Sequence, residues 1–420
     1  VKVHSRRYLA FVSVLILMAG MAYSQSSTTS AIEGKVTDDQ GAPLPGAQVK
    51  LSSPDLIGGA QIKVTTAEGK YRFVAILRGT YVLEASLPGF VPGKKGNVKV
   101  FVGETITIDL VLTIGKLSEE ITVQAIAPVI DVKDSEMNST NLDKQMLQTV
   151  GSEMRWKSTE SLINLAPGVK DGSAMGAPSS VSNQWQIDGQ SLLTYVGDGR
   201  DWQFPDIDIL EEAKVSGSGA SAEYGNFTGA MLNLITKSGG NSFEGMVSAS
   251  YSPFSWNQKN FDPAQPLFSL YGIPPRNLYL DFHAGLGGPI IKDKLWFYVS
   301  GGMNRQQTEI KASEVGAVLG RRTFQIPKGF AKLTFQIDKN NRLSAFAEYE
   351  YWDIFNKELS VNRPASATLA EAGPGLPVAL NFLHTFGENT FAEVKVGYYT
   401  ENFNQNPNQG RNVPEHYDYL

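Results

Sequence analysis

The sequence contains no cysteine, which excludes a disulfide framework, a thiolate metal centre and a lipidated cysteine anchor. Histidine is nearly as scarce. His4, His283, His384 and His416 stand isolated, with no HExxH, GxSxG or Walker pattern anywhere in the chain. No catalytic constellation, metal site or cofactor is therefore expected. The net charge of −5 argues against a nucleic-acid partner. Beyond the extreme N-terminus no apolar run approaches the roughly 18 residues of a spanning helix. What the chain does have is 41 glycines, 21 phenylalanines and 16 tyrosines among Asn/Ser-rich turns, a composition suited to many strands and few helices. Its 420 residues allow two or three domains.

The first 24 residues read as a signal peptide. Lys2, Arg6 and Arg7 precede an apolar core from Leu9 to Ala22, and Ala22-Tyr23-Ser24 offers small residues at −3 and −1 of a cleavage before Gln25. A membrane anchor helix is the competing reading. The short apolar core and the Ser/Thr residues that follow it favour export.

Residues 25–113 alternate with period two in about seven short segments, from Ala31–Val36 to Thr105–Leu110, separated by Gly/Pro turns. This predicts a small antiparallel β-sandwich. Residues 114–135 read as a linker in which Leu117–Ala125 alternates like a strand before Pro128 stops pairing. That segment is either a last strand or a strand offered to a partner's sheet edge.

Residues 136–240 predict a compact α/β module. Leu142–Leu147 and Ser158–Leu165 read as short helices, the second capped by Ser158 and stopped at Ala166-Pro167-Gly168. Asp188-Gly189 suits a tight turn, with a substrate contact as the less favoured alternative. The strand containing Ile207, Ile209, Leu210, Ala213 and Val215 is followed by a loop with Glu223, Tyr224 and Gly225. A second strand, Ala230–Thr236, ends on Lys237, Ser238, Gly239, Gly240 and Asn241.

From residue 241 to 420 the alternation lengthens. Phe243, Val247 and Tyr251 oppose Glu244 and Ser248; Leu280, Phe282 and Leu286 oppose Asp281 and His283; Tyr349 and Tyr351 oppose Glu348 and Glu350. Apolar-out and polar-in over roughly ten residues is the pattern of a membrane β-barrel, whereas a soluble sandwich would bury the apolar face. Tight connections at 291–294, 339–341 and 387–389 alternate with long ones at 252–277, 306–326 and 353–376, which predicts periplasmic turns and extracellular loops. Phe254, Trp256, Phe261 and Tyr271 in the first long loop would grip a ligand or pack the loop against its neighbours.

The ordered set IDG, LEE, SAEYG, TKSGGN and LGGPI-x-KDKLWF resembles TonB-dependent outer-membrane transporters, most closely their Oar-like branch. The pattern G-x-V-x-D…G-x-P-L-P-G-A-x-V with T-x-x-E-G-x-Y-x-F resembles the carboxypeptidase regulatory-like domain, here without a histidine and therefore non-catalytic. The first resemblance implies a mainly β protein of the bacterial outer membrane: sandwich, plug, and the first strands of a transmembrane barrel in contact with outer-membrane lipid. It implies a TonB box at Glu120, Ile121, Thr122, Val123, Gln124 and Ala125, and a plug motif at Asp188, Gly189, Glu223, Tyr224, Gly225, Lys237, Ser238 and Gly239. It further implies uptake of a small-molecule, glycan or peptide substrate driven by the TonB–ExbB–ExbD complex, with no bond-breaking step and hence no enzyme activity. A surface carbohydrate-binding or adhesin protein using the sandwich is the alternative. About seven strands after residue 241, against the roughly 22 of a barrel that houses a plug, lead to the expectation of a fragment lacking most of its barrel.

Overall fold

A computed structural model describes residues 28–53, 59–115, 121–123, 139–147, 160–165, 167–170, 173–174, 183–192, 205–217, 229–256, 277–311, 318–360, 363–387 and 390–408. The signal-peptide segment lies outside the described residues. Two compact units divide the remainder.

The N-terminal unit has nine strands: β1 (Ser30–Asp38), β2 (Gln48–Ser52), β3 (Gln61–Val64), β4 (Lys70–Ile76), β5 (Gly79–Ser86), β6 (Phe90–Val91), β7 (Gly93–Val100), β8 (Thr105–Thr107) and β9 (Leu110–Ile114), followed by β10 (Ile121–Val123). One sheet runs β4-β1-β9-β6 with β8 also on β1; the other runs β10-β7-β5-β2-β3. Alternate residues of both sheets, among them Ile32, Val36, Phe73, Leu51, Leu83 and Leu112, are sealed inside. The sandwich is mixed rather than antiparallel, because β8 and β9 both run parallel to β1. The strand expected over Thr105–Leu110 breaks where the chain steps across β1. There Ile108 N donates to Glu33 O at 2.7 Å and Lys35 N donates to Asp109 Oδ1 at 2.8 Å. Gly34 permits the crossing, since a Cβ at that position would lie 1.7 Å from Ile108 O.

The second unit opens with a five-stranded sheet ordered β11-β16-β17-β14-β15. Its strands, with a small separate pair β12 (Val169–Lys170) and β13 (Ser173–Ala174), are β11 (Ser139–Asp143), β14 (Gln184–Ile187), β15 (Gln190–Ser191), β16 (Leu210–Ser216) and β17 (Met231–Thr236). β17 is buried along its whole length between antiparallel β16 and parallel β14. The first expected helix is half strand: Leu142 belongs to β11, and helix occupies only residues 144–147, where the Asp143 carboxylate accepts Met146 N at 2.9 Å. Among the described residues the second helix spans Glu160–Ile163, and its expected cap Ser158 lies outside them. Ile207–Ile209 is a 3₁₀ turn capped by Asp206, so the strand there starts at Leu210.

Eight antiparallel strands follow: β18 (Glu244–Ser252), β19 (Asn277–Ile291), β20 (Leu295–Lys311), β21 (Val318–Asp338), β22 (Asn341–Phe355), β23 (Leu369–Phe386), β24 (Thr390–Glu401) and β25 (Asn404–Pro407), the last beside β24 on β23. Among the described residues this sheet does not close on itself. The long connections at 306–326 and 353–376 are shorter than expected, since β20 to β23 run through most of them. Both faces there are polar (Gln306, Gln307, Thr308; Arg321, Arg322, Thr323), so period-two contrast vanishes while the backbone ladder continues.

Faces of the long sheet are inverted relative to a soluble protein. Val247 is 74% exposed and Val396 63%, whereas Glu348 is 1% exposed and Glu350 is fully buried. The polar face, together with Tyr298, Phe330 and Phe346, packs against the core of the five-stranded module (Trp185, Ile187, Ala213, Leu232, Leu234). A dry sandwich core made of the apolar face is thereby excluded.

Candidate functional site

The contact between the five-stranded module and the polar face of the long sheet gathers most of the motif residues. Asp188 and Gly189 turn the chain with φ of +47° and +77°, the left-handed pair that a two-residue hairpin between β14 and β15 requires. The Asp188 carboxylate then reaches across the module. Its Oδ1 accepts Thr236 N at 3.0 Å, and its Oδ2 accepts Thr236 Oγ1 at 2.5 Å and Lys332 Nζ at 2.9 Å. Turn former and interface anchor are thus one residue.

The TKSGGN run carries the chain from the module into the sheet. Lys237 is buried and donates to Asp208 O at 2.5 Å, with its ammonium 6.0 Å from the centre of the Tyr298 ring. Burial, reinforced by Lys144, holds this ammonium below the usual lysine range. Ser238 is exposed. Gly239 passes against the sheet so closely that a Cβ would lie 2.2 Å from Phe297 O and 2.8 Å from Gly288 O. Asn241 closes the connection. Its Nδ2 donates to Asp293 Oδ1 at 2.6 Å, and its Oδ1 accepts both Asp293 N and Trp296 Nε1 at 2.9 Å. One asparagine thus ties TKSGGN to the LGGPI-x-KDKLWF segment.

Deeper in the same interface Asp206, Asp208 and His283 converge. Burial alone would raise the Asp206 carboxyl, but His283 and Lys328 outweigh it and bring the group down to about 2. The sequence marked His283 as a polar-face residue; nothing local tied it to Asp206, 77 positions earlier.

Other expected site residues are dispersed. Ile121, Thr122 and Val123 form β10, paired in parallel with Gly93, Lys94 and Lys95 at the edge of the sandwich. Glu120, Gln124 and Ala125 lie outside the described residues, as do Glu223, Tyr224, Gly225, Phe261 and Tyr271. Phe254 packs under Arg321, whose guanidinium carbon is 4.6 Å from the ring centre, while Trp256 is exposed. A cavity of about 220 Å³ sits at the sheet end opposite the tight turns, lined by Gln306, Thr308, Arg322, Phe324, Ile354 and Lys357. All six residues fall within 306–326 and 353–376, which the alternation assigns to loops, so no local pattern marks the cavity.

Residues 31–113 match the carboxypeptidase regulatory-like domain family. Over 309 residues the chain is 30% identical to the TonB-dependent transporter Oar of Myxococcus xanthus, covering 70% of this chain and 29% of that protein. The chain is a homologue of a TonB-dependent transporter. It spans less than a third of that relative's length. Among solved structures it resembles the outer membrane transporter YddB from Escherichia coli, with a TM-score of 0.52 at 13% identity over 64% of this chain and 40% of that one. This likeness concerns the fold, a mainly β protein with a barrel wall. These relatives are transporters, not enzymes, in keeping with the sequence reading. With its apolar face outward, the long sheet has the face polarity of a membrane β-barrel wall; among the described residues no helix is long and apolar enough to cross a membrane.

Proposed function

We propose that the protein moves a substrate across the outer membrane as a TonB-dependent receptor, with residues 136–240 as plug and residues 241–420 as barrel wall. One observation carries the reading: the long sheet keeps valine, leucine and tyrosine on its exposed face and turns buried glutamates toward the module. In water an apolar band of this extent is an association hazard. In lipid each such side chain contributes about 1.5–3 kcal/mol. The module occupies the side that would be the lumen, which is where a plug belongs.

The proposed TonB box, Glu120 to Ala125, includes an edge strand. β10 stands last in its sheet, and a periplasmic partner of the TonB–ExbB–ExbD complex would capture such a segment by strand addition. A ligand would enter at the cavity lined by Arg322, Phe324 and Lys357, next to the Phe254 ring that packs against Arg321.

The chain has no cysteine, so Thr122→Cys introduces a single thiol into it. In cells, that variant of the full-length protein should form a disulfide with a cysteine placed on the edge strand of the TonB C-terminal domain. Ile121→Pro should abolish energised uptake and leave surface binding intact. Undiminished uptake in Ile121→Pro, or no cross-link at any position from 120 to 125, would reject the box.

A further inference from the structure

We propose that Asp206, Asp208 and His283 form a binding site for one divalent transition-metal ion, with Zn²⁺ the best fit, stapling the five-stranded module to the long sheet. The inference concerns this contact alone and does not depend on the transport reading. One potential ligand atom from each of the three residues lies within 4.8 Å of the others. Ligand atoms of a tetrahedral ion with bonds of about 2.0–2.2 Å stand roughly 3.3–3.6 Å apart, so side-chain rotation must bring the three groups to that spacing and open the 2.7 Å Nδ1–Oδ2 contact.

The local backbone presents the carboxylates together. Asp206 caps the 3₁₀ turn by accepting Asp208 N on its Oδ1 at 2.9 Å, which leaves its Oδ2 directed at the sheet. Asp208 Oδ2 accepts Ser248 Oγ from β18 at 2.8 Å, the kind of outer hydrogen bond that orients a metal-bound carboxylate. His283 arrives from β19 with 1% of its side chain exposed. Its cross-strand neighbour is Gly302, where a Cβ would stand 2.7 Å from His283 Nδ1 and 3.2 Å from Asp206 Oδ2. The bare glycine keeps that space open.

A second observation points to a ligand. His283 Nε2 has no hydrogen-bond partner, whereas Nδ1 faces Asp206 Oδ2 at 2.7 Å. A buried imidazole nitrogen left without a partner is costly, and ligation of an ion removes that cost. Imidazole and carboxylate together suit Zn²⁺, whereas Ca²⁺ takes six to eight oxygens and Mg²⁺ an octahedron rich in water.

The test uses the full-length protein in detergent, stripped with chelator and titrated with Zn²⁺, Mn²⁺ and Co²⁺. One Zn²⁺ per chain should bind and raise the thermal midpoint. His283→Gln and Asp206→Asn should abolish binding, and Ser248→Ala should weaken it roughly 10–100-fold. Should those variants fold poorly, Asp208→Cys keeps the negative charge and adds a thiolate. With Co²⁺ it should show a thiolate-to-metal charge-transfer band that the parent lacks. The site is overturned if the stripped parent binds none of the three ions, if His283→Gln binds as the parent does, or if Asp208→Cys with bound Co²⁺ shows no such band. A plain Asp206–His283 ion pair would give the first of these results.

Discussion

Lys332 Nζ lies 2.9 Å from Asp188 Oδ2, and each side chain is only about a tenth exposed. The pair joins the hairpin turn of the proposed plug to a strand of the barrel wall 144 residues later. Removing one member of a buried pair costs about 3–5 kcal/mol because the other charge is left without compensation. Asp188→Ala should therefore destabilise the detergent-solubilised full-length protein by about that much, and Asp188→Ala with Lys332→Met by much less. Thermal or urea unfolding of the four proteins of this cycle measures the coupling. Additive losses would mean that the pair is not coupled in the folded protein.

Two adjacent glycines should respond differently to the same change. Gly239→Ala puts a methyl group into the backbone of β19 and β20, where neither Phe297 O nor Gly288 O can yield without breaking the ladder. Gly240→Ala meets nothing within 4 Å. The first should lower the unfolding midpoint or block assembly, and the second should be neutral within about 0.5 kcal/mol. Equal effects would contradict the close approach at residue 239.

Asn241 is predicted to matter through its side-chain oxygen. Asn241→Ala strands the indole N–H of buried Trp296, at about 1–3 kcal/mol for a buried donor left unpaired, while Asp293 N turns to solvent. Asn241→Asp keeps an acceptor for both but faces the Asp293 carboxylate, so its defect should shrink at acid pH where a carboxyl is protonated. Unfolding midpoints at neutral and acid pH separate the two variants.

The sandwich carries a testable alkaline limit. Burial pushes the Tyr71 phenol well above its ordinary value, with the Asp109 carboxylate adding to the shift. A group whose folded pKa is raised contributes stability that is complete below its unfolded pKa, near 10 for a phenol, and is lost as pH climbs above it. Residues 28–115 should therefore lose stability progressively above about pH 10. Tyr71→Phe should flatten that slope and lower neutral-pH stability by about 1 kcal/mol through the lost bond to Ile108 O, 2.6 Å long. An unchanged alkaline slope in Tyr71→Phe would assign the loss to other groups.

Local pattern was legible in the sequence; partnership was not. Period-two alternation puts Val247, Phe282 and Tyr349 on one face and Asp281, His283 and Glu348 on the other, because side-chain direction in a strand follows from the pleat alone. Asp188-Gly189 could be read as a turn for the same reason, since its φ values depend on two residues. The motif order pointed to the relatives. Tertiary structure alone decided that β8 and β9 run parallel to β1, that Ile121–Val123 pairs with the sandwich edge, that Asn241 ties two motifs, and that Asp188 meets Lys332 and Asp206 meets His283. Each of those joins groups distant along the chain, and a contact of that kind is set by strand register and chain reversal rather than by its neighbours in sequence.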